Sequence, residues 1–97
     1  MGELTCLING EPEPKVTWYK GNEVVILDER VKKETAGNRH ILLINRLRAN
    51  DVASYMCYTI NELGSAQETI EIKHEDIVLQ EEEEVRYLVR ITLSWLC

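Results

Sequence analysis

A chain of 97 residues is one domain, and that length excludes most enzyme scaffolds, such as the eightfold β/α barrel at roughly 250 residues. Apolar residues at 44% and charged residues at 29% give an ordinary soluble balance. Eleven bases against 17 acids leave a net charge of −6, so a phosphate-tracking surface built on excess Lys and Arg is not expected, and neither is a nucleic-acid partner. In chain order, Leu4, Cys6 and Ile8 share one face of a first strand that stops at the turn dipeptide Asn9-Gly10. Glu11 to Pro14 must be a loop, because neither proline can donate a ladder bond. Val16, Trp18 and Lys20 alternate with Thr17 and Tyr19 up to Gly21-Asn22. A short apolar run over Val24 to Leu27 precedes a polar edge strand from Arg30 to Glu34, and Ala36-Gly37-Asn38 turns the chain. His40 to Asn45 returns with Leu42 and Ile44 on one side. Tyr55, Cys57 and Thr59 then oppose Met56, Tyr58 and Ile60 on the two faces of the next strand. After a hairpin at Asn61 to Gly64, Ala66, Glu68, Ile70 and Ile72 alternate with polar neighbours. Six or seven strands at about 8–12 residue spacing predict an all-β sandwich.

Catalytic and metal chemistry have no foothold in this pattern. His40 and His74 stand apart from any spaced nucleophile, and no Gly-rich phosphate loop is present. Three cysteines, Cys6, Cys57 and Cys97, include no CxxC pair, whereas a structural zinc site commonly uses two close pairs. One disulfide plus one spare thiol is the alternative, and it implies an oxidising compartment. The first residues lack the basic and apolar regions of a signal peptide. Val85 to Cys97, at 13 residues with Arg86 and Arg90 inside it, is too short and too charged to cross a bilayer. No cofactor, no metal and no direct membrane insertion are expected.

Trp18 follows Cys6 by twelve residues, Cys57 follows it by fifty-one, and Tyr55 stands two before Cys57. With Leu4-Thr5-Cys6, Pro14 to Lys20, Leu42-x-Ile44-x-x-Leu47, Asp51-x-Ala53-x-Tyr55-x-Cys57 and Asn61-x-x-Gly64, residues 3–73 resemble the immunoglobulin superfamily, specifically its I-set. Ala53 and Thr59 depart from the usual Gly and Ala of that pattern. Gly37 to Leu42 and Asn61 to Ile72 look like insect lachesin, amalgam and IgLON-type neural adhesion proteins, while intracellular modules of the titin and twitchin kind carry much the same pattern. The resemblance implies a two-sheet Greek-key sandwich with Cys6 and Cys57 bonded between facing sheets and Trp18 against the sulfurs. Leu42, Ile44, Leu47 and Tyr55 would join Trp18 in the core, with the Tyr55 hydroxyl returning to backbone upstream. By the same likeness, Arg30 pairs with Asp51 across the bottom of the sandwich.

Such a sandwich has about 100 residues and begins with a strand A before the first cysteine strand. Here Cys6 comes almost at once, so strand A is expected to be missing and the edges of the first and last family strands open. Residues 74–97, with six acids and two bases, read as an acidic linker followed by an amphipathic extension outside the family pattern. From Val85, Tyr87, Val89, Ile91, Leu93 and Trp95 alternate with Arg86, Leu88, Arg90, Thr92, Ser94 and Leu96, a period of two that favours a strand. Val85, Leu88, Val89, Thr92, Leu93 and Leu96 also share one helical face, but the β-branched content tips the reading to a strand. The extension is taken as adventitious, with pairing to the open edge, in cis or from a second copy, as the alternative.

The expected function is non-catalytic recognition or cell adhesion by a fragment of a larger cell-surface protein, extracellular in location. Tyr19, Met56, Tyr58 and Ile60 should project from one sheet toward another immunoglobulin-type domain, homophilic or heterophilic. Strand-mediated self-association, through the open edge or residues 85–96, is a further expected mode. The alternative is an intracellular structural module of a titin- or twitchin-like protein in the cytoplasmic sarcomere.

Overall fold

The computed structural model describes residues 1–10 and 12–93; residues 94–97, with Trp95, Leu96 and the spare Cys97, lie outside the described part. Eight strands form two four-stranded sheets: β1 (Gly2–Gly10), β2 (Lys15–Lys20), β3 (Glu23–Val24), β4 (Val31–Ala36), β5 (Arg39–Ile44), β6 (Ala53–Asn61), β7 (Gly64–Ile72) and β8 (Val85–Leu93). A 3-10 turn at Ala49–Asp51 precedes β6, and the six-residue helix α1 (His74–Leu79) precedes β8. One sheet runs β4-β5-β1-β8 and the other β3-β2-β6-β7.

Alternation decides which side chains meet between the sheets. Leu4, Cys6 and Ile8 of β1 face Leu42 and Ile44 of β5, with Val31 of β4 beyond them, and all are buried. The second sheet contributes Trp18, Tyr55, Cys57, Ile70 and Ile72, and β8 adds Val85 and Ile91. Two hairpins use the same chemistry. Gly21-Asn22 joins Lys20 to Glu23, and Gly37-Asn38 joins Ala36 to Arg39. Gly21 and Gly37 hold φ of 62° and 61°, a left-handed conformation that glycine adopts without steric cost. Leu47 is brought inward by Arg46, itself at φ 61°, and a Cβ at Gly2 would stand 2.9 Å from the Leu47 side chain.

The edge of β1 that was expected to be open is covered. β8 lies parallel to β1 in unbroken register from Gly2↔Val85 to Gly10↔Leu93. Its β-branched residues suit a pleated, half-buried surface, and the alternation puts Val85 and Ile91 inside while Leu88 is 50% exposed. That exposure decides against the helical reading, which needs Leu88 on the inner face. Parallel pairing requires a crossover, and α1 with the turns after it carries the chain from β7 to the other sheet. Specific bonds fix this crossover. The Gln80 side chain accepts the Leu47 N–H and donates to the Leu47 carbonyl, both at 2.7 Å. The Val85 N–H donates to the Met1 carbonyl at 3.1 Å. The buried Asp76 carboxylate accepts the Lys73 N–H at 2.8 Å and the Tyr87 hydroxyl at 2.9 Å. Burial, first, and then that carboxylate push the Tyr87 phenol up to about 12.

Candidate functional site

The two sheets are tied together at their centre. Cys6 of β1 and Cys57 of β6 are joined across the two sheets, their Cα atoms 6.6 Å apart. Trp18 is the direct register partner of Cys57, and both are buried. Below them, the buried Tyr55 hydroxyl donates to the Asp51 carbonyl at 2.8 Å, which supplies the partner a buried phenol needs. Burial is the main reason that the Tyr55 phenol is pushed up to about 12, with the Asp51 charge adding to it.

Asp51 ties three segments together. Its two oxygens accept a forked pair of bonds from the Arg30 guanidinium at 2.8 and 2.9 Å, and one also accepts the Arg48 N–H at 2.8 Å. Burial alone would raise the Asp51 carboxyl, but Arg30 and the Arg48 N–H outweigh it and hold it below the usual carboxylate value. A depressed carboxyl contributes stability that is present above its unfolded value, about 3.9, and is lost as pH falls through the lower folded value. Asp51→Asn is therefore expected to lower stability at pH 7 by about 2–3 kcal/mol, leaving Arg30 without its charge partner. Acid titration of the variant should show a shallower fall below pH about 4 than the parent chain. Urea unfolding across that range measures both, and parallel curves would contradict the assignment.

Among the described residues, two buried polar atoms lack a hydrogen-bond partner, Trp18 Nε1 and Thr59 Oγ1. Thr59 is fully buried on β6, opposite Val16. Replacing a buried, unbonded hydroxyl by a methyl of similar shape removes its desolvation cost. Thr59→Val should raise the unfolding free energy by about 1 kcal/mol. A loss of stability on denaturant unfolding would show that the hydroxyl is satisfied after all.

The opposite side of β2 and β6 faces outward. Tyr19 pairs with Met56, Thr17 with Tyr58 and Lys15 with Ile60, so these side chains form one surface. The Tyr19 and Tyr58 rings meet edge to face with centroids 6.4 Å apart, an arrangement favoured by the ring quadrupole. Tyr19, Met56 and Tyr58 are half-buried, and Ile60 is exposed. Val24 of β3 pairs with Tyr19 and extends the patch while 58% exposed. It was not singled out from the sequence, because a two-residue strand is too short to show which way its side chains point. Across β6, the outward residues of β7 opposite Met56, Tyr58 and Ile60 are Thr69, Gln67 and Ser65. An aromatic and aliphatic centre with a polar border is the composition of protein-protein interface cores.

Among the described residues, no group of three or more His, Cys, Asp or Glu side chains is placed to hold a metal ion, and no helix is long and apolar enough to cross a membrane. His40, whose burial and neighbour Lys33 lower its pKa, pairs in register with Cys6, a sulfur already committed to the disulfide.

Residues 2–74 match the immunoglobulin I-set domain model. Over 65 residues the chain is 41% identical to vascular endothelial growth factor receptor 2 of Mus musculus, covering 67% of this chain and 5% of that protein. Over 63 residues it is 38% identical to hemicentin-2 of Mus musculus, covering 65% of this chain and 1% of that protein. It thus spans only a small part of these curated relatives. Among solved structures, the twitchin kinase fragment of C. elegans superposes with a TM-score of 0.58 at 23% identity, covering 79% of this chain and 15% of that one. The titin M10 and obscurin-like 1 complex gives 0.58 at 21%, covering 89% and 85%. At those identities the likeness is one of fold. These comparisons support the I-set and do not establish the narrower likeness to lachesin and IgLON proteins. Modules of this generally non-catalytic kind occur both in receptors and in titin and twitchin, and either location fits them. The match over residues 2–74, with the disulfide and the two-sheet topology, makes this chain a member of the immunoglobulin I-set family.

Proposed function

We propose that the chain is an adhesion or recognition module of a cell-surface protein, extracellular in location, which binds another immunoglobulin-type surface through the outer face of β2 and β6. The observation that carries this reading is the Tyr19, Met56, Tyr58, Ile60 and Val24 patch with its polar border. Binding is non-covalent: the disulfide-pinned sheets hold the aromatic rings in place before contact, which lowers the ordering cost of association. Relatives at 41% and 38% identity are a growth factor receptor and hemicentin-2, in keeping with an extracellular setting. Tyr58→Glu places a charge at the centre of the patch and should weaken self-association or partner capture at least tenfold, the scale of a truncated interface anchor. Analytical ultracentrifugation of the parent chain and the variant reads the effect, and equal association would sink the assignment of the face.

The fold likeness to titin and twitchin favours a second reading, a structural module in a muscle filament. The redox state of Cys6 and Cys57 separates the two. Non-reducing mass mapping of protein from its native source should find them bonded if the module is extracellular, and free thiols would favour the filament.

A further inference from the structure

We propose that β8 is exchangeable between copies: in a dimer, each chain lays its β8 on the β1 edge of the other, with Glu81–Glu84 as the hinge. Every surface that β8 satisfies is one that a second copy presents identically. Among the described residues its register is with β1 alone, over nine residues, and its inward side chains Val85 and Ile91 enter the common core. Exchange therefore preserves those bonds, which makes it a low-cost route to a dimer.

The hinge supplies the reason to open. The N–H groups of Glu81, Glu82 and Glu83 donate to the carbonyls of Val78 and Leu79, so the acidic run continues the last turns of α1. That is the carbonyl end of a helix, where negative side chains are disfavoured. Consecutive carboxylates wound at about 1.5 Å rise per residue also repel one another more than in an extended chain at about 3.3 Å. Glu81 meets Arg46 at 2.9 Å and Glu84 meets Arg86, whereas Glu82 and Glu83 pair with no cation among the described residues. Straightening the hinge separates these charges. Gln80 lies before the hinge and is stapled to Leu47, so α1 stays with its own copy and β8 alone crosses. Four extended residues reach at most roughly 14 Å, which places the two β1 edges side by side.

The test uses the full chain carrying Cys97→Ser, incubated at high protein concentration and low salt, with mass measured by light scattering after size exclusion. A dimer whose fraction rises with concentration is expected. In the Glu82→Gln, Glu83→Gln variant that fraction should fall roughly threefold, since the neighbouring like charges in the hinge are removed. Thr5→Cys with Leu88→Cys, which are register partners, then identifies the geometry. After oxidation, an exchanged dimer gives a covalent two-chain species on a non-reducing denaturing gel, while a dimer formed through the β2 and β6 face separates into single chains. If near-ultraviolet circular dichroism shows that pair to be misfolded, Glu3→Cys with Arg86→Cys serves in its place. Monomer at every concentration, single chains on the gel, or a dimer fraction unmoved by the hinge variant would each overturn the proposal.

Discussion

Replacing Cys6 and Cys57 together by alanine is expected to lower the unfolding free energy by about 4 kcal/mol. The bond closes a loop with a sequence separation of 51, and chain-entropy scaling for such a loop gives this figure. Both sulfurs are fully buried between the sheets, so the alanines also leave a small cavity beside Trp18, which adds to the loss. A domain of this size has only about 5–15 kcal/mol to lose. The variant should therefore unfold at markedly lower urea than the parent chain, and addition of reductant to the parent should reproduce most of the shift. An unchanged midpoint in both experiments would mean that the loop is already restrained without the bond.

Ile91→Asp should cost about 3 kcal/mol, while Leu88→Asp on the same strand should cost under about 1 kcal/mol. Ile91 is 5% exposed and faces the core, and Leu88 is on the outer side of the sheet. The Ile91→Asp loss has a ceiling. Once the charge costs more than β8 gains by docking, the strand detaches, and the measured value reports the docking free energy itself. Denaturant unfolding of the two variants measures the difference. Equal losses would contradict the alternation, and a larger loss at Leu88 would restore the helical face of Val85, Leu88 and Val89. Detachment of β8 in the Ile91 variant should also bring concentration-dependent association, because it bares the β1 edge.

The strands of the family region are legible because each carries period-two alternation bounded by a turn dipeptide. Trp18, Leu42, Ile44, Leu47, Tyr55 and the two cysteines were singled out from the sequence, and all are buried. Boundaries were less legible. β1 runs through Gly10 although Asn9-Gly10 is a strong turn signal, because β8 continues alongside it as far as Leu93. The apolar run Val24 to Leu27 gives only a two-residue strand at its start, and Ile26 is 79% exposed. Four apolar residues in a row carry no information on which of them turns inward.

The crossover between β7 and β8 was least legible. Residues 74–84 are rich in acid and read as solvated linker, yet Asp76 is buried and Gln80 is doubly bonded to Leu47. Neither contact has a local signature, since each joins residues far apart in the chain or depends on a helix only six residues long. The tail from Val85 fits a helical face as well as a strand, and its β-branched residues tip the reading to the strand that is found; its partner, the open edge of β1, is a tertiary fact. On the outer face of β2 and β6, alternation grouped Tyr19, Met56, Tyr58 and Ile60, but their register needed the sheet.

Amide hydrogen exchange followed by NMR tests most directly the claim that this I-set sandwich is closed by its own last strand. With β8 paired to β1, alternate amides of Val85–Leu93 should exchange orders of magnitude more slowly than a random coil, to an extent set by the free energy of docking β8. Random-coil exchange throughout that segment, with β6 still protected, would contradict it.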